Sequence, residues 1–191
     1  MSVQKLAIVA TITVLTAAAC GKAPPPAEPA TPAAAERPAA PTPIAVPGTV
    51  TAALAELAGE CSSVDGIPHT DEAVRQGDLN GDGRADFVLF AGWINCENAA
   101  SIYGDREKVL VVFAGDGRGG AAQAFSDTVF DARLETAAAG SKLWLTVMGE
   151  SCGRPPGADF ASEAFCERAI DWQPGTGRFD YAPVATVRMI E

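Results

Sequence analysis

The sequence predicts a mainly β domain: a compact antiparallel sheet or sandwich of blade-like hairpins, with one short helix at its N-terminal end. Three observations lead there. Runs rich in β-branched and aromatic residues recur at Phe87-Val-Leu-Phe90, Val109-Leu-Val-Val-Phe113 and Leu143-Trp-Leu-Thr-Val147, each too short for an independent helix. Gly- or Asp-rich turns separate them, and nothing between them reads as the helical crossover that a parallel sheet needs. Cys61, Cys96, Cys152 and Cys166 form an even set in a chain that starts like an exported one, which reads as disulfides.

The chain opens with Lys5 and an uncharged run, Leu6 to Ala19. A spanning helix takes about 20 apolar residues, so this run reads as a signal peptide, residues 1–19. Residues 20–48 follow as a linker, in which nine of the chain's 14 prolines fall between Pro24 and Pro47. Proline fixes φ and removes amide donors, so an extended, disordered tether is expected there. The junction Ala17-Ala18-Ala19-Cys20-Gly21 resembles the lipobox of bacterial lipoproteins. That resemblance implies cleavage before Cys20, diacylglycerol on its thiol and acylation of its amine. Ala17 departs from the pattern, which usually has Leu, Val or Ile there. Plain secretion with cleavage after Ala19 is the alternative. A lipoprotein with three acyl chains is held stably on a membrane. Gly21, where inner-membrane retention commonly uses Asp, favours the outer membrane of a Gram-negative envelope, facing the periplasm.

The folded domain is expected over 49–191. Thr49 to Gly59 reads as a helix with Val50, Leu54 and Leu57 on one face, stopped by Gly59. Weaker strand candidates are Ala73–Gln76, Ala124–Phe130, Ala164–Asp171 and Phe179–Val187, giving six or seven strands in all. Four cysteines allow three pairings. Cys61–Cys96 with Cys152–Cys166 is the favoured one, because the second bond would close a short segment carrying Pro155-Pro156-Gly157. Zinc is disfavoured, since no C-x-x-C occurs and His69 is the sole histidine.

One segment carries chemistry. Asp78-Leu-Asn80-Gly-Asp82-Gly-Arg84-Ala-Asp86 reads D-x-N-x-D-G-x-x-D. Calcium takes six to eight hard oxygens. Asp78, Asn80, Asp82 and Asp86 offer side-chain oxygens, and Arg84 its main-chain carbonyl with the guanidinium turned away. Leu89 stands where an EF-hand has Glu, and a strand-like run follows the loop. The pattern resembles the calcium hairpin of FG-GAP and VCBS-type repeats of integrin-like propellers, over Ala73 to Gly117. In such repeats a loop of this kind precedes a strand, and a later G-D-G turn closes the unit, as Gly115-Asp116-Gly117 does here. The resemblance implies one structural calcium. One loop cannot build a propeller of four or more blades, so a single blade-like sheet in a compact domain is expected. The stretches GGAAQAFS, KLWLTVMGESCG and FCERAIDW resemble a group of alphaproteobacterial envelope proteins with one such loop.

The formal charge of −10 excludes nucleic-acid binding through a basic face. Gly149-Glu-Ser151-Cys-Gly153 spells G-x-S-x-G, but no histidine follows Ser151 as a hydrolase triad requires. Gly115 to Gly120 contains G-x-G-x-x-G, but Asp116 would face a pyrophosphate and no set of crossover helices follows. His69 reads as a loop residue; Trp93, Trp144 and Trp172 offer the residue type of a sugar-binding platform, but in a small β domain they read as core. No catalytic constellation emerges. The leading expectation is a lipid-anchored envelope protein whose domain binds one calcium and docks a protein or a glycan. The alternatives are an inhibitor of a basic, lysozyme-type periplasmic hydrolase and a carboxylate-dependent hydrolase.

Overall fold

The computed structural model describes residues 45–137 and 140–190; the signal-like run, Cys20 and the linker up to residue 44 lie outside them. Helix α1 spans Gly48–Ser62, with Val50, Leu57 and Cys61 buried along one face and Leu54 partly buried beside them. It does not stop at Gly59. A glycine inside a helix costs about 1 kcal/mol, but Cys61 lies beyond it, fully buried and covalently fixed, and carries the helix on for another turn.

Strand β1 (Ile67–His69) pairs with β4 (Asn95–Glu97) in a two-stranded ribbon. The Cys61–Cys96 disulfide fastens that ribbon to the end of α1. His69 therefore sits on a strand, not in a loop. Strands β2 (Val74–Gly77), β3 (Asp86–Phe90), β5 (Lys108–Gly115) and β6 (Ala121–Val129) form an antiparallel sheet in the order β2-β3-β5-β6. Strands β7 (Asp131–Ala137), β8 (Gly140–Met148), β9 (Phe165–Gln173) and β10 (Arg178–Tyr181) form a second sheet, in the order β10-β9-β8-β7. Strand β11 (Arg188–Met189) pairs with β9 beyond the stretch taken by β10.

The two sheets close face to face. Val88, Phe90, Leu110 and Val112 of the first share one core with Leu143, Leu145, Val147 and Ile170 of the second. The other face of the first sheet carries Phe87, Leu89 and Phe113, which pack with Val50, Leu57 and Cys61 of α1. The layers are therefore helix, sheet, sheet. All five residues of β3 are buried because it is covered on both faces, which explains its unbroken apolar run. Between Val112 and Phe113 the β5–β6 register shifts, so Ala124 and Phe125 both reach the core.

The described residues form eleven strands against the six or seven expected: β1, β4, β7 and β11 fall outside the expected list, and one expected strand is cut short. β1, β4 and β11 are only two or three residues long, and β7 alternates clearly but has only Ala132 and Leu134 on its inner face. Of the expected strand Phe179–Val187, the regular part ends at Tyr181. Pro183 cannot donate to a ladder, and a 3-10 turn at Val184–Thr186 follows. Both favoured disulfides are present, Cys61–Cys96 and Cys152–Cys166.

Candidate functional site

The acidic loop is the turn between β2 and β3. Its hub is Asp78, whose Oδ1 accepts N–H groups from Gly81 at 2.8 Å and Asp82 at 3.2 Å, and whose Oδ2 accepts from Gly83 at 2.9 Å. Asn80 Oδ1 accepts from the Asp82 amide at 3.0 Å, and Asp82 Oδ1 from the Arg84 amide at 2.9 Å. Asn80 also donates its side-chain N–H to Asp82 Oδ2 at 3.2 Å. Gly81 and Gly83 both hold φ at 77°, the left-handed region that favours glycine, and this lets the chain curl around the Asp78 carboxylate. The second sheet braces the loop: the Ser141 amide at the start of β8 donates to the Asp78 carbonyl at 2.7 Å.

The structure gives Asp86 a task other than the one its spacing suggested. Its side chain is completely buried. Oδ2 accepts from Leu79 at 2.9 Å and Asn80 at 3.2 Å, and Oδ1 accepts from Gly115 at 3.1 Å. Asp86 thus pins both the start of its own loop and the end of β5. Burial raises its pKa above the ordinary value, three amide hydrogen bonds oppose that, and the Asp82 charge adds to it. Gly115 permits the approach, because a Cβ there would lie 2.1 Å from the Ala85 carbonyl oxygen. Arg84 does not point away from the loop: its Nη1 stands 3.8 Å from Asp82 Oδ2, and its stem lies against Gly117.

For a hard cation the donor chemistry fits, being all oxygen with three carboxylates. The placement fits in part. Asp78 stands half-buried at the centre of the turn, with half-buried Asn80 and exposed Asp82 beside it. Asp86 is sealed beneath it, and among the described residues no three His, Cys, Asp or Glu side chains converge as metal ligands. Main-chain amides of Gly81, Asp82, Gly83 and Arg84 close the loop onto its side-chain oxygens.

Beside the loop, Pro47, Arg84, Gly115 and Gly117 border a cleft of about 300 Å³. The glycine-rich turn there offers no cradle for a phosphate. Asp116 Oδ1 already accepts the amides of Arg118 at 2.7 Å and Gly120 at 2.9 Å, which lowers its pKa, and strand β6 follows where a dinucleotide fold has a helix. Ser151 lies in a 3-10 turn next to Cys152, whose sulfur is in the disulfide. His69 Nε2 is exposed and 3.0 Å from Glu97 Oε2. The tryptophans are not one platform. Trp93 lies under Arg75, Trp172 against Phe179, and Trp144 under Arg188 on the outer face of the second sheet.

A second concavity, of about 270 Å³, runs between α1 and β5. Leu89 and Phe113 form its base, Val109 and Val111 its open side, and Glu56 and Glu60 its rim. Sequence reasoning missed it. Val109 reads as a core residue in an apolar run, yet it is 39% exposed because the helix does not reach across it. No family model, no curated protein and no solved structure matches the chain.

Proposed function

We propose that this protein is an exported envelope lipoprotein whose domain is a docking module for a protein or a glycan, braced by one calcium ion. Lipidated Cys20 holds it at the outer membrane, facing the periplasm. The Pro/Ala-rich linker, with a reach of roughly 80 Å at full extension, lets the domain stand off the bilayer. The two disulfides agree with an oxidising compartment.

The observation that carries the docking reading is the groove at α1, an apolar floor open to solvent outside the acidic loop. Acid–base catalysis gains no such support: the carboxyl whose pKa is raised, Asp86, is sealed from solvent. Calcium would be held by Asp78, Asn80, Asp82 and the Arg84 carbonyl, above Asp86 as the buried pin of the turn. When bound, it supplies positive charge among crowded carboxylates and stiffens the β2–β3 turn.

The test is thermal melting of the purified protein with calcium and with chelator. Ligand at a hundred times its Kd stabilises by about 2.7 kcal/mol, so a clear rise in Tm is expected with calcium, and Asp82→Ala should abolish it. Identical melting in both buffers overturns the ion. For the anchor, Cys20→Ser should move the protein from the membrane to the soluble fraction; retention on membranes overturns lipidation there.

A further inference from the structure

We infer that the groove between α1 and β5 docks a basic segment of another protein, which seats an aliphatic side chain on Val109 and Val111 and brings a lysine or arginine to Glu56 and Glu60. This deepens the docking reading and rests on it, but not on the calcium ion.

The floor is apolar by construction. Val109 and Val111 occupy the face of β5 that α1 covers farther along, and their neighbours across β6 are Thr128 and Ser126. Val109 is left 39% exposed at the open end of an otherwise closed layer.

The rim is charged at a cost to the fold. Glu56 and Glu60 are the only charged residues of α1. They stand four apart, where like charges on a helix repel. Glu60 also lies in the last turn, where the negative end of the helix disfavours a carboxylate, and no basic residue compensates it there. Among the described residues neither takes part in an ion pair. The outer face of the second sheet is the contrast: Glu135, Glu167 and Asp171 are each matched by Arg133, Arg188 or Lys142. Two unmatched carboxylates beside exposed valines complement a cation carried next to an aliphatic group. The same rim repels an anionic lipid surface, and it repels a second copy of this chain, whose net charge is −10. The exposed aromatic Phe160 is a weaker candidate, since Arg106 already stacks on it at 3.9 Å.

The experiment is fluorescence anisotropy of the full-length protein with a labelled decapeptide, Ala-Lys-Arg-Leu-Val-Leu-Arg-Lys-Ala-Gly. Two controls accompany it, one with its basic residues changed to Glu and one with Leu and Val changed to Ser. The basic aliphatic peptide should bind, more weakly as salt rises, and both controls should fail. Glu56→Gln with Glu60→Gln should weaken binding about tenfold, the scale of two exposed ion pairs, without lowering Tm. Val109→Lys should abolish binding; if it does not fold, Val109→Ser should still weaken binding in a protein that melts as the wild type does. Equal binding of the serine control overturns the inference, because charge alone then suffices. Unchanged binding to the glutamine and valine variants overturns it too, since the peptide then sits elsewhere and only the general docking reading survives. No binding of any peptide also overturns it.

Discussion

Tyr181 joins the two sheets at one side chain. Its hydroxyl donates to Asp127 Oδ2 at 2.9 Å, linking β10 to β6, while its ring meets Phe125 edge-on and lies under Arg168. Burial first, and then the hydrogen bond to a carboxylate, push its pKa well above the ordinary 10.0. A phenol held protonated in this way contributes stability that is present below its unfolded pKa, and that stability is lost as pH rises past it. Tyr181→Phe should therefore cost about 1 kcal/mol near neutral pH, the worth of one hydrogen bond. The variant should also lose less stability than the wild type on going from pH 9 to pH 11, as read by urea melts at each pH. A parallel decline in both proteins would mean that Tyr181 is not held protonated. Such a contact spans the fold, and no local pattern announces it. Asp86 makes the same point. Its spacing fits a ligand set, but one of its hydrogen-bond partners is Gly115, 29 residues away, and its burial follows from sheet packing that spacing does not encode.

At the scale of elements, glycine marks what was legible and what was not. Gly59 reads as a helix stop because it is the poorest helix former short of proline. The helix passes through it, since tertiary fixation of Cys61 outweighs a local preference of that size. A Cβ on Gly59 would meet nothing within 4 Å. Gly59→Ala should therefore stabilise the protein by about 0.5–1 kcal/mol. Gly115→Ala should do the opposite and destabilise it by about 2 kcal/mol or more, because the new methyl meets the Ala85 carbonyl and disturbs the amide that Asp86 holds. Chemical denaturation of the two variants checks both signs; a destabilising Gly59→Ala would contradict the open surface seen there. The strong strands β3, β5 and β8 were legible because burial demands apolar, branched side chains. β7 was not, because the edge strand of the second sheet buries little more than Ala132 and Leu134 there.

At the scale of the molecule, the antiparallel sandwich and its two disulfides followed from short apolar runs and an even cysteine count, but the layering did not. A single short helix gives no sign of which sheet face it will cover. That choice closes β3 on both sides and leaves the open end of β5 as a groove. The Cys61–Cys96 bond holds the helix in this place, and it links residues 35 apart. In the loop-entropy model a closure of that length is worth about 4 kcal/mol, against about 3 kcal/mol for the 14-residue separation of Cys152–Cys166. The two bonds also act on different layers. Replacing Cys61 and Cys96 by Ser removes the tie of α1 to the β1–β4 ribbon and leaves two hydroxyls in a buried cluster. Hydrogen exchange should then show the amides of α1 opening at much lower free energy than those of β8 and β9, whose core is untouched. Replacing Cys152 and Cys166 should instead loosen the segment between Met148 and Phe165 and leave α1 protected. If the first pair of substitutions lowers protection evenly across both sheets, the helix is not a separable layer, and the groove it borders belongs to one indivisible unit.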